Sequence, residues 1–342
     1  MKKISISAVA VVIAFLVLFT NCKKKEDVQP LKVGFVTGLS SLNDGGFNQM
    51  AYSGLLAAAS DISITYEVRE SKTAGQIDSN IRYFASNGFN VIISLGYDAG
   101  QATLDAALTY PSVKFILLDY SFATIPSNMV CATYKVDQAS FPCGFLAAYQ
   151  AWHKNPVQAV AAYVGGPNIP AIQQFILSFK NGVDYFNAKY GTSVSTIGAN
   201  AASFNDTLQG AFLADSLIQQ GAEVLFACAG KTGNGVLYKV KERSKTAIGV
   251  DTDQFNTIPQ VGPYLLTSCM KRLEVFVRSE LNSIYNDQFH GGQNIQSSLA
   301  NQGVGLAPYH SYETLIPDSI KQAVVTIQTG ITNGTILTGW SK

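Results

Sequence analysis

Polar and aromatic residues recur along this chain in short segments, each following an apolar run. The first is Thr37-Gly-Leu-Ser-Ser-Leu-Asn43-Asp44-Gly-Gly-Phe47-Asn48-Gln49, followed by Gly96-Tyr97-Asp98 and Asp119-Tyr120. Further on come Gly165-Gly-Pro-Asn168, Ser203-Phe204-Asn205-Asp206, Phe226-Ala-Cys-Ala-Gly230-Lys231-Thr-Gly and Gly249-Val-Asp251-Thr-Asp253-Gln254. These residue types suit the capture of a small solute. An aromatic face takes a flat ring, and offset or edge-on packing adds roughly 0.5–1.5 kcal/mol to simple burial. A carboxylate accepts two adjacent hydroxyl groups through charge-assisted hydrogen bonds, and Asp251 is placed to do so. Lys271 can donate to further oxygens and offset the buried carboxylate.

Strings that resemble enzyme motifs fall short of the chemistry they would need. Gly230-Lys231-Thr232 looks like the end of a phosphate-binding loop, but the glycine required five residues before Gly230 is Leu225. His153, His290 and His310 lie far apart and outside the segments above, so they suggest neither a triad nor a metal cluster. No Gly-x-Ser-x-Gly elbow occurs. We therefore expect no enzymatic activity, no metal and no cofactor.

The elements that hold these segments follow from hydrophobic periodicity. Strands are expected at 32–37, 62–68, 90–95 and 113–119, with helices at 46–60, 74–87 and 100–109 between them. After an extended segment at 128–134 and a helix at 138–153, a second series begins. It has strands at 157–164, 192–198, 222–228 and 246–250 and helices at 170–190, 206–220 and 233–243. This alternation predicts parallel sheets covered by helices on both faces. A (β/α)₈ barrel is the rival topology, and the break in rhythm at 121–136 argues against it. The expected fold is α/β, with two Rossmann-like lobes joined by a hinge. One lobe is expected to span 31–134 with a returning segment after about 255, the other 135–254 with part of 265–342. Chain crossovers are expected near 134 and at 252–256, with a third further on. In open parallel sheets ligands sit beyond the carboxyl ends of the strands, which is where the polar segments fall.

Composition narrows the partners. Lys plus Arg number 24 and Asp plus Glu 23, and the only dense basic cluster is Lys23–Lys25, so no nucleic-acid footprint is present. Cys131, Cys143, Cys228 and Cys269 are scattered in apolar stretches without Cys-x-x-Cys spacing and read as buried free thiols.

Five motifs in order carry a resemblance that spans most of the chain. They are Asn43-Asp-x-Gly-Phe-Asn-Gln, Ala229-Gly-x-Thr-Gly-x-Gly-Val, Gly249-Val-Asp-x-Asp-Gln, Thr267-Ser-x-x-Lys-Arg and Gly303-Val-Gly-Leu-Ala. Together they resemble the basic membrane protein family of substrate-binding lipoproteins, similar to the purine nucleoside receptors of ABC importers, with the type I periplasmic-binding fold. The resemblance implies that Phe47 is a platform for the base and that Asp251 and Lys271 hold the sugar. A second aromatic from the opposite lobe is expected to close the other face, with Phe226 preferred over Phe204. Asn43, Asp44, Asn48 and Asp119 are candidates for the polar edge of the base, although Asn43 and Asp44 equally suit a helix cap. Tyr97 is expected to line or shield the cleft. Ala201-Ala-Ser-Phe204 departs from the more usual Gly-Ser-Phe, and Cys269 and Met270 fill variable positions, so riboflavin or a sugar remains an alternative ligand.

The start of the chain completes the expectation. Met1-Lys-Lys, the apolar run Ile4–Phe19 and Cys22 read as a lipoprotein signal over 1–21 and a tether over 22–30, with Cys22 acylated. Phe19 and Asn21 depart from the usual residues before such a cysteine. The protein is thus expected in the cell envelope, anchored by lipid, with an ABC permease as partner. A surface interaction or sensor lipoprotein without transport is the alternative.

Overall fold

A computed structural model describes residues 29–340, so the expected signal segment, Cys22 and most of the tether lie outside the described residues. In chain order the first elements are β1 (Leu31–Val36), α1 (Phe47–Asp61), β2 (Ile64–Arg69), α2 (Ala74–Ser86), β3 (Val91–Leu95), α3 (Gly100–Thr109), β4 (Lys114–Leu118) and β5 (Met129–Tyr134). They are followed by α4 (Val136–Lys154), β6 (Val160–Gly165), α5 (Pro170–Tyr190), β7 (Ser195–Asn200), α6 (Thr207–Gln219), β8 (Val224–Cys228), α7 (Lys231–Glu242), β9 (Thr246–Asp251), α8 (Gln254–Thr257) and β10 (Leu265–Lys271). The chain closes with α9 (Leu273–Tyr285), β11 (Asn294–Ser297), β12 (Val304–Leu306) and α10 (Asp318–Thr332).

Two open six-stranded sheets result, in the orders β11-β5-β4-β3-β1-β2 and β12-β10-β9-β8-β6-β7. The first is parallel throughout; in the second only β12 runs antiparallel, against β10. This is the expected two-lobed α/β architecture, not a barrel. Burial follows position in the sheet. Central β3 and β4 are, apart from Ser94 and the leading Lys114, runs of Val, Ile, Leu and Phe covered on both faces, as parallel strands between helix layers must be, whereas edge strands β2 and β7 are polar and partly exposed.

One sequence expectation is corrected. The chain does not return to the first lobe near 255, because β9 is followed by α8 and then by β10, which pairs parallel with β9 and so stays in the second sheet. The return comes after Lys271, where α9 leaves β10 and packs on α1 of the first lobe. Gly54 permits that approach, since a Cβ there would collide with the backbone of Glu274. Three crossovers therefore join the lobes, at 134–136, at 271–273 and between β11 and β12.

Helices α4 and α5 pack backbone to backbone. Gly144 abuts the carbonyl of Phe179, and Gly182 abuts that of Phe141, leaving no space for a Cβ on either side. Nearly all of α4 from Val136 to Ala151 is buried beneath α5 and α10. Among the described residues no helix is long and apolar enough to cross a membrane. The four cysteines of the described residues are free and buried.

Candidate ligand-binding site

The carboxyl ends of the two sheets face each other across a cleft that encloses about 720 Å³ of empty space, part of it open to solvent; such strand-end clefts are where open α/β sheets bind ligands. Its lining includes Ser40, Asp44, Phe47, Asn48, Tyr97, Asp98 and Asp119 from the first lobe, and Ile172, Phe175, Phe204, Cys228, Gly230, Asp251 and Lys271 from the second.

Two aspartates end their strands in the left-handed region: Asp119 after β4, with φ 63°, and Asp251 at the end of β9, with φ 66°. Aspartate tolerates this conformation better than most residues, and here it brings both side chains to the cavity. Lys271, ending β10 and only 4% exposed, reaches across the lobes to Asp119, with Nζ 2.6 Å from Oδ2. The same Nζ lies 5.2 Å from the centre of the Phe47 ring and 5.1 Å from that of Phe175. Burial alone would lower the Lys271 pKa, but Asp119 and Asp251 together raise it. Burial pushes the Asp251 carboxyl up to about 7 against the pull of Lys271, with Asp119 and Asp44 adding to the rise. An ionised Asp251 is therefore held at a cost that hydroxyl donors from a ligand would relieve.

The remaining candidates divide according to what else they bond. Asp44 touches the cavity, but its carboxylate accepts from the backbone N–H groups of Gly46, Asn48 and Gln49, which makes it the cap of α1. Asn48 accepts from the Gly38 N–H and donates to the Ser41 carbonyl, so its amide shapes the β1–α1 loop. Asn43 is exposed and does not line the cavity. Tyr97 stands at the rim, packed edge-on against Tyr120 at 5.2 Å.

Phe226 is fully buried and stacks on Phe179 at 5.2 Å, beneath α5. The preference for it over Phe204 is thus corrected: β8 runs on to Cys228, so position 226 sits inside the strand and not at its mouth. Phe204 lines the cavity instead, on the loop after β7. Gly166 makes room for its ring, because a Cβ there would collide with it. Phe175 and Ser40 escaped the sequence reading. The first fits the core-facing period of α5, and the second is one serine among several in a loop.

The lobes are latched together over the β1–α1 loop. Asn234 donates to the Asp44 carbonyl at 2.7 Å, and Thr257 and Gln254 donate to the Gly45 carbonyl at 2.8 and 3.3 Å. Lys231 reaches Ser41 Oγ at 3.1 Å. This is a closed arrangement of a hinged pair. Among the described residues no group of three His, Cys, Asp or Glu side chains is placed to hold a metal ion.

Comparison with known proteins places this geometry in a family. The ABC transporter nucleoside-binding protein BmpA of Lactococcus lactis subsp. cremoris is 24% identical, covering 98% of this chain and 99% of its own. A lipoprotein of Pyrococcus abyssi is 28% identical over 82% of this chain and 70% of its own. Among solved structures, an ABC transporter solute-binding protein from Aeropyrum pernix K1 superposes with a TM-score of 0.84 at 22% identity, covering 90% of this chain and 93% of that one. The family and these solved neighbours are solute-binding proteins, with a small-molecule ligand and a permease as the implied partners. A family model described as "ABC transporter substrate-binding protein PnrA-like" matches residues 32–336, and the chain belongs to that family, Bmp.

Proposed function

We propose that the protein is a lipid-anchored receptor that captures purine nucleosides and presents them to the permease of an ABC importer. The observation that carries this reading is the pairing, in one interlobe cavity, of an aromatic face from each lobe with the buried Asp251 and Lys271. Phe47 and Phe204 sandwich the base. Asp251 accepts the two ribose hydroxyls, and Lys271 donates to the sugar oxygens while remaining paired with Asp119. The lipoprotein signal expected from the sequence, and the lipoprotein among the relatives, support the anchor.

Among the described residues Lys271 is the only cationic side chain lining the cavity, against Asp44, Asp98, Asp119 and Asp251. A phosphate group would meet uncompensated carboxylates there. Isothermal titration of the purified protein with inosine, guanosine, adenosine, their 5′-monophosphates, riboflavin and ribose is expected to show tight binding of the nucleosides. The monophosphates should bind at least ~100-fold more weakly, since like-charge placement costs several kcal/mol. Binding of riboflavin or ribose alone would overturn the nucleoside assignment.

The same site gives binding a pH dependence. If the ribose hydroxyls donate to ionised Asp251, affinity is full above its pKa of about 7 and falls by about tenfold per pH unit below it. Titrations at pH 5.5, 6.5 and 8 check this, and an affinity that is flat across that range would exclude Asp251 as the acceptor.

A further inference from the structure

The groups that the sequence offers for the polar edge of a base are nearly all engaged elsewhere. Asp44 caps α1, Asn48 ties the loop together, and Asp119 is paired with Lys271. Ser40 stands apart from them. It lines the cavity and is 7% exposed, and its buried Oγ has no hydrogen-bond partner among the described residues. Its neighbour Ser41 shows what a satisfied hydroxyl in this loop looks like, since it accepts from Lys231 across the cleft. Buried polar groups are rarely left unpaired, and one that has no protein partner and borders a cavity is free to bond what fills it.

We infer that the Ser40 hydroxyl is the contact that reads the polar edge of the bound base, an inference that rests on the nucleoside reading of this cavity. Ser40 lies on the loop that leads into Phe47, the first residue of α1 and a face for the base, whereas Asp251 and Lys271 come from strand ends of the other lobe. A hydroxyl both donates and accepts. It therefore serves a 6-oxo and a 6-amino purine equally, where a carboxylate in its place would demand a donor.

The test is Ser40→Ala in the full chain, with melting of the unliganded protein and titration with inosine, adenosine and benzimidazole riboside. The last keeps the flat rings and the sugar but lacks the six-membered-ring nitrogens and any group at C6. The unliganded variant should melt at or slightly above the wild-type temperature, because no protein bond is lost. Inosine and adenosine should each bind about tenfold more weakly, the effect of one buried hydrogen bond, while benzimidazole riboside should bind both proteins alike. Wild-type affinity for inosine and adenosine would overturn the inference, as would melting several degrees lower, which would reveal a structural bond. An equal penalty on benzimidazole riboside would move the contact to the sugar and overturn it too. Failure of the wild-type protein to bind any of the three would instead remove the nucleoside reading, and the base-reading role of Ser40 with it.

Discussion

Replacing Asp251 by asparagine is expected to weaken nucleoside binding by at least about 100-fold while leaving the unliganded protein no less stable at pH 8. Each hydrogen bond to an ionised group contributes roughly 1.5–3 kcal/mol, and the ribose diol supplies two of them. The expected effect on stability comes from the same carboxylate. Its folded pKa lies near 7, above the ordinary 3.8, so folding favours the protonated form. The stability contributed by the raised pKa is fully present below the unfolded value and is lost as pH rises through the folded one. The wild-type protein without ligand should therefore lose stability from about pH 4 to about pH 7 through this group, and Asp251→Asn should flatten that slope. Titration calorimetry and denaturant unfolding across this range test both halves. An asparagine variant that binds within fivefold of wild type would remove Asp251 from the sugar site, and one that unfolds more readily at pH 8 would show the carboxylate to be structural.

The largest expected effect on stability lies away from the cavity, where α4 crosses α5. Gly182→Ala is expected to cost about 3 kcal/mol or more, because overpacking that moves backbone is costly and its usual range is 1–3 kcal/mol. The added methyl would fall on the Phe141 carbonyl, which belongs to the middle of a buried helix and cannot swing aside as a side-chain tip would. Gly305→Ala is the matched control. Nothing stands within 4 Å of its Cβ position, so its midpoint in denaturant should stay close to wild type. Equal midpoints for the two variants would mean that the helices separate at little cost.

Much of the fold can be read from the chain because buried parallel strands are near-continuous apolar runs; Val91–Leu95, broken only by Ser94, and Phe115–Leu118 are clear cases. The exchange of segments between the lobes is not legible, because a crossover is written in the same residues as any other loop. After Asp251 nothing local says whether Leu265–Lys271 will pair with β9 or leave for the other sheet. The site shows the same division. Asp251, Lys271, Phe47 and Asp119 reveal themselves as polar or aromatic residues at or just beyond element ends. The choice between Phe226 and Phe204 turned on which ring packs beneath α5 and on the space left by Gly166, and both are properties of the assembled structure. Capping and ligand contact draw on the same side chains, so only the hydrogen bonds of Asp44 and Asn48 separate the two roles.

The interleaved crossovers also set the order in which the molecule can be completed. Strand β11 finishes the first sheet and β12 the second, and both lie within residues 294–306, behind everything they pair with. Until that stretch emerges, β5 and β10 each present an unpaired strand edge, the kind of surface that recruits other chains. Neither lobe can therefore be finished during synthesis while the other waits. A chain built this way stays unfinished in both lobes until residues 294–306 have been made.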